Sequence, residues 1–229
     1  NPIDTIWHNQ PAPPLSPIEI QNAQFAGQSS AEKRQIISEN LKAAGQDAVV
    51  LTAPDSIAWL ANLRGGDVPY TPFALAFAIL YADTNLDLFL DLRKASPTVA
   101  QNLKNDVSLR PIDDFTPALD DLGRKLAKVR VDPHNTAKAI HSKLKEAGAT
   151  LAADEDPCSL PKGRKNNTEL EGIRAAHRRD GLALTRFLAW CKTNGNSIIN
   201  FGILLVTVFF SITIGVFHCI VNKFNNFHA

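Results

Sequence analysis

Apolar positions along the first 160 residues follow two rhythms in turn, one of helical spacing and one of short buried runs, broken where glycine and proline cluster. Ser29-Ser30-Ala31-Glu32 is a capping-box pattern, in which the Ser29 hydroxyl satisfies the Glu32 amide and Glu32 reaches back. Ile36, Ile37, Leu41 and Ala44 continue one helical face until Gly45 stops it. Residues 47–52 read as a short buried strand, and Pro54 opens a helix carrying Ile57, Trp59, Leu60 and Leu63. Residues 64–72 hold two glycines and two prolines and predict a loop. Residues 73–82 and 86–91 predict a hairpin around Asp83-Thr84-Asn85. A helix at 96–105, a strand at 107–109, a helix at 113–126, a strand at 129–131, a helix at 136–147 and a strand at 150–152 follow. This alternation predicts an α/β domain over 29–160, with a sheet made mixed by the hairpin and flanked by helices. The proline-punctuated stretch 1–28 predicts an extended linker without regular structure.

Beyond Pro161 the pattern changes. Thr168-Glu169-Leu170-Glu171 reads as a second capping box. It launches a long helix with Leu170, Ile173, Ala176, Leu184, Phe187, Leu188 and Cys191 on one side and Arg174, Arg178, Arg179 and Asp180 on the other. Residues 161–192 thus read as the opening of a further domain. Residues 193–222 then carry no Lys, Arg, Asp or Glu. Within them, residues 201–221 form an apolar stretch of roughly 31 Å as a helix, enough for a bilayer core. A hydrophobic transmembrane helix is therefore predicted there, with a slight bias of flanking cations for a cytoplasmic N-terminal side. The composition of 193–229 also differs: 28 alanines fall in residues 1–192 and one, Ala229, after them. Two readings stand, a single-span anchor or unrelated sequence following a truncating event, and the composition favours the second. The chain holds no Met and begins with Asn, which points to processing or truncation at the front.

Charge and cysteine content narrow the functional classes. A net charge of +1 gives no push toward nucleic acid. The basic residues Lys162, Arg164, Lys165, Arg174, Arg178, Arg179 and Arg186 are balanced by Glu169, Glu171 and Asp180, so a charged helix face is favoured over a phosphate surface. Cys158, Cys191 and Cys219 form no CxxC pair and are odd in number, which fits a reducing compartment. His134 and His141 lie seven apart and could face one way, but a solvated face is favoured over a metal pair. His177, amid Arg178 and Arg179, reads as making a surface or interdomain hydrogen bond. Asp113-Asp114 and Asp120-Asp121 are paired acids; the first pair suits a helix N-terminus without further chemistry. The loop with Arg64, Asp67 and Tyr70 is the candidate ligand-binding segment. An internal Arg64–Asp67 pair explains its composition equally well.

Two segments carry a family resemblance. Trp59-Leu60-Ala61-Asn62-Leu63-Arg64-Gly65-Gly66-Asp67-Val68-Pro69-Tyr70-Thr71-Pro72 closely resembles the middle-domain signature of long-form Xaa-Pro aminopeptidases (aminopeptidase P). Leu160-Pro161-Lys162-Gly163-Arg164-Lys165-Asn166, then Glu169, Gly172, Arg174, Ala176-His177, Asp180-Gly181, Phe187-Leu188 and Trp190, is similar to that family's entry into its catalytic domain. Asp4-Thr5-Ile6-Trp7 resembles its link between first and middle domains. Thr71 stands where the family has Asn, and Gly163 where it has Ala. The resemblance implies a creatinase-like α/β middle domain within a three-domain, cytoplasmic hydrolase. In that enzyme a "pita-bread" domain binds two divalent metals, typically manganese, through two Asp, one His and two Glu. Their bridging hydroxide attacks the peptide bond before proline. The likeness runs from residue 1 to Lys192, ahead of every family metal ligand, and residues 193–229 contain no Asp or Glu. No catalytic residue, metal ligand or cofactor is therefore expected in this chain, and the reading is of a partial aminopeptidase, inactive alone. Arg64, Asp67 and Tyr70 are its substrate-side candidates, with a peptide as substrate in the whole enzyme. The competing reading is a membrane-anchored α/β binding module held by residues 201–221, and nucleic-acid binding through the basic helix is the weakest. The oligomeric state is left open.

Overall fold

The computed structural model describes residues 5–103 and 107–194. The chain divides into two compact units, Asn1–Leu170 and Glu171–Ala229. The first unit is built on a six-stranded mixed sheet. Its strands are β2 (Ala48–Leu51), β4 (Phe77–Tyr81), β5 (Leu86–Leu90), β6 (Ser108–Pro111), β7 (Lys128–Val131) and β8 (Thr150–Ala153), in the order β6-β5-β4-β2-β7-β8. The β4–β5 hairpin and the β2–β4 pair are antiparallel, while β2–β7, β7–β8 and β5–β6 are parallel. The expected mixed α/β architecture is therefore the observed one. Residues 73–76, expected in the hairpin, precede β4 instead.

Helices cover the sheet because its central strands are apolar on both faces. Val49, Leu51, Leu80, Leu86, Leu88 and Leu90 point to one side. There they pack with Ile37 and Leu41 of α2 (Ser30–Ala43), Ile57 and Leu60 of α3 (Pro54–Leu60), and Leu103 of α4 (Pro97–Leu103). The alternate residues Val50, Ile79 and Phe89, with Val129 and Val131, meet α5 (Phe115–Arg124) and α6 (Lys138–Ala147) on the other side. Phe115 stacks on Phe77 at 4.4 Å and meets Phe89 edge-on at 5.3 Å. α5 and α6 approach closely at Gly123, where an added Cβ would lie 2.2 Å from that of Ala147. The Ser29–Glu32 capping box forms as the sequence indicates.

The lead-in segment is more ordered than its prolines suggest. It contributes a two-residue strand, β1 (Glu19–Ile20), paired antiparallel with β3 (Leu63–Arg64), and the short helix α1 (Ala23–Ala26). After α7 (Ser159–Gly163), the long helix α8 (Asn167–Asn194) begins. Its cap is Asn166 and not Thr168: Asn166 Oδ1 accepts from the Glu169 amide and Glu169 Oε2 accepts from the Asn166 amide, both at 2.9 Å. In the second unit α8 continues, with Arg174 paired to Glu171 at 2.7 Å and the rings of Phe187 and Trp190 6.3 Å apart.

The expected transmembrane helix is corrected. Among the described residues no helix is long and apolar enough to cross a membrane. α8 has the length, but Arg174, Arg178, Arg179, Arg186 and Lys192 interrupt it. Residues 201–221 lie outside the described residues.

Candidate functional site

The loop carrying the three candidate residues grows from the end of α3. Asn62 takes a left-handed conformation there (φ 51°), which Asn tolerates better than most side chains. Its side chain is held on both ends: Oδ1 accepts from Lys33 Nζ at 2.7 Å and Nδ2 donates to the Gln28 carbonyl at 2.8 Å. Lys33 Nζ also donates to the Trp59 carbonyl at 3.0 Å and sits 4.6 Å from the centre of the Trp59 ring. Lys33 is buried, and its loss of hydration pulls its pKa down to about 8 against the opposing pull of Glu169. Sequence reasoning passed over Lys33, because a lysine on a helix reads as solvent-facing.

Arg64 is half-buried and turns its guanidinium back to the helix end, where Nη1 donates to the carbonyls of Ala58 (3.3 Å) and Leu63 (2.7 Å). Burial lowers its pKa and the charge of Glu169 opposes that. Gly65 is required by packing, since a Cβ would lie 2.8 Å from the Ala74 amide nitrogen. Asp67 then turns inward. Its Oδ2 accepts from the Leu75 amide at 2.8 Å and from Lys94 Nζ at 2.6 Å, and its Oδ1 from the Ser16 amide at 3.2 Å. The side chains of Asp67 and Lys94 are 0% and 5% exposed, so this is a buried ion pair. Lys94, not Arg64, is thus the observed partner of Asp67.

Beyond that anchor the chain makes a tight turn. The Thr71 amide donates to the Val68 carbonyl at 3.1 Å, with Pro69 and Tyr70 at the two central positions. Tyr70 has φ 60° and its side chain is fully exposed. Proline followed by a positive φ is the type II pattern, whose third position favours glycine. A tyrosine there carries a left-handed cost of about 1–2 kcal/mol. The structure therefore places Arg64 at the end of β3 and Asp67 and Tyr70 on the loop that follows, each in different surroundings. Asp67 fastens the loop, Arg64 bonds the Ala58 carbonyl of α3 and the adjacent Leu63 carbonyl, and Tyr70 projects into solvent.

The second sequence segment is mostly fastening. Lys162 Nζ bonds to Asp55 and, at 3.1 Å, to Ser56 Oγ at the start of α3. Asn166 Nδ2 donates to the Ala26 carbonyl at 2.8 Å. His134 and His141 form no metal pair with further donors: among the described residues no group of three or more His, Cys, Asp and Glu could hold a metal ion. The aspartate turn at Asp132 escaped the sequence reading. Asp132 accepts from the amides of His134 (2.8 Å), Asn135 (3.3 Å) and Asp156 (3.2 Å) and organises the chain after β7. Cys158 is fully buried, and burial pushes its thiol well up.

Comparison with known proteins gives a consistent picture. A family model described as Creatinase/Prolidase N-terminal domain matches residues 9–169. A probable Xaa-Pro aminopeptidase P of Paracoccidioides brasiliensis is 34% identical over 212 residues, covering 87% of this chain and 34% of the relative. Aminopeptidase P2 of Arabidopsis thaliana is 32% identical over 221 residues, covering 84% of this chain and 31% of that protein. The chain therefore spans about a third of the length of the curated relatives it matches. The solved X-prolyl aminopeptidase of Caenorhabditis elegans, described as a cytosolic enzyme with a di-nuclear active site, superposes with a TM-score of 0.77 at 27% identity. That match covers 84% of this chain and 32% of the worm protein.

Proposed function

We propose that this chain, which belongs to the creatinase/prolidase N-terminal domain family, is the non-catalytic middle portion of an Xaa-Pro aminopeptidase, the enzyme class that releases the residue preceding proline. One observation carries this reading: 84–87% of the chain is matched by proteins named as Xaa-Pro aminopeptidases, yet it fills only about a third of each. The family's metal pair does not fit the residues here. Hard divalent ions need clustered oxygen donors; the described residues offer no such cluster, and residues 193–229 contain no Asp or Glu. No reaction step is therefore assigned to this chain, and by itself it is inactive. Its contribution is a rigid platform that presents the loop from Arg64 to Tyr70 to the substrate side, in the cytosolic setting named for the worm relative. Within that loop Tyr70 is the group available to a peptide, Arg64 supports the turn, and Asp67 fixes its height.

The test joins residues 5–192 to the part of the C. elegans enzyme that follows its matched segment. Expected are hydrolysis of a peptide with proline second and a roughly tenfold lower kcat/KM for Tyr70→Ala, worth about 1.4 kcal/mol. A folded, metal-loaded chimera without activity would remove the scaffold role. Full activity in the Tyr70→Ala form would remove the substrate role of the loop.

A further inference from the structure

Residues 16–28 touch two places that the sequence keeps far apart. One is the loop stem. The Ser16 amide and hydroxyl donate to Asp67 (3.2 Å) and to the Gly66 carbonyl (2.9 Å). The Ile18 amide donates to the Lys94 carbonyl at 2.9 Å, β1 pairs with β3, and the Gln21 amide donates to the Asn62 carbonyl at 2.7 Å. The other place is the cap of α8. α1 ends on Gly27 in a left-handed conformation (φ 70°), and Asn166 lies directly against it. A Cβ on Gly27 would come within 2.4 Å of Asn166 Oδ1, so the contact has no spare room. Asn166 thus does two tasks with one amide. Its Oδ1 caps α8 and its Nδ2 holds the Ala26 carbonyl.

We infer that residues 16–28 act as a strap that couples the order of the Asp67–Tyr70 loop to the seating of the α8 cap. Apart from Ile18 and Ala26 the strap has no buried apolar side chain of its own. Its order therefore comes from the bonds at its two ends, the condition for opening as one cooperative unit. At its last residue the Gln28 carbonyl accepts from Asn62 Nδ2, which ties this end of the strap to the same residue that starts the loop. Coupling of this kind is reciprocal, so a disturbance at either end is felt at the other.

Amide hydrogen exchange on the full chain tests it in both directions. Asn166→Asp keeps a capping oxygen, Asp and Asn being comparable caps, but loses the donor to Ala26. The Gln21 and Leu75 amides should then exchange several-fold faster. Asn166→Ser repeats the comparison without an added charge beside Glu169. In the reverse direction, Asp67→Asn should speed exchange of the Glu169 amide several-fold. Faster exchange confined to residues 26–28 in both Asn166 variants, or an unchanged Glu169 amide in Asp67→Asn, would overturn the strap.

Discussion

The Asp67–Lys94 pair fastens the loop. Both charges are out of water, and Asp67 additionally holds the amides of Ser16 and Leu75. Replacing Asp67 by Ala leaves a buried ammonium and two amides without their acceptor. Breaking a buried pair from one side costs about 3–5 kcal/mol, a large part of the 5–15 kcal/mol typical of a domain. Lys94→Met is expected to cost less, because the Asp67 carboxylate keeps both amide donors. In the double variant the ammonium is gone, so the two losses should fall short of their sum by about 2 kcal/mol, within the range for contacting pairs. Urea unfolding followed by circular dichroism and by tryptophan fluorescence, to which buried Trp59 contributes beside exposed Trp7 and Trp190, gives all four corners of the cycle. A cost for Asp67→Ala below about 1 kcal/mol, or losses that simply add, would refute this reasoning.

Three further outcomes are expected. Gly123→Ala forces a Cβ into Ala147 at the α5–α6 contact and should cost about 1–3 kcal/mol in the same unfolding assay; no change would mean the two helices can separate freely. Lys33 has a native pKa near 8, below the roughly 10.4 of an unfolded lysine. The unfolded chain therefore binds more protons in that window, and the stability of the protein relative to Lys33→Met should rise from pH 8 to 10. Comparison with that variant removes the opposing contribution of Cys158, whose raised pKa makes stability fall as alkali ionises the unfolded thiol; a pH-independent difference would contradict the assignment. In native protein at pH 8, iodoacetamide should label the partly exposed Cys191 and leave the buried Cys158 unmodified, as read by peptide mass spectrometry. Equal labelling of the two would contradict the burial of Cys158.

What the sequence revealed was local, and what it hid was long-range. The Ser29–Glu32 box is legible because both partners lie within one turn. β2, β4 and β5 are legible because each is a short, largely apolar run between breakers. Asp67 and Lys94 are 27 positions apart and Lys33 and Asn62 are 29 apart, so no spacing rule connects them. The internal Arg64–Asp67 pair is excluded only by the fold, in which Lys94 takes the carboxylate. The ordering of residues 16–28 was hidden for a related reason. Prolines argue against regular structure in isolation, whereas β1 and α1 are held by Leu63, Asn62 and Asn166, outside the segment. The cap of α8 was misplaced by two residues because Thr168 and Asn166 both offer a capping oxygen with a glutamate three positions on. The contact of Asn166 with Gly27 is what distinguishes them.

The central claim is that this chain carries the aminopeptidase platform without its chemistry. The most direct measurement is hydrolysis of a proline-second peptide by the purified chain across a manganese titration, with bound metal counted in parallel. The account predicts no turnover above the metal-only blank and no stoichiometric metal binding. Chelator-sensitive release of the N-terminal residue, with about two metal ions held per chain as in two-metal sites, would contradict it.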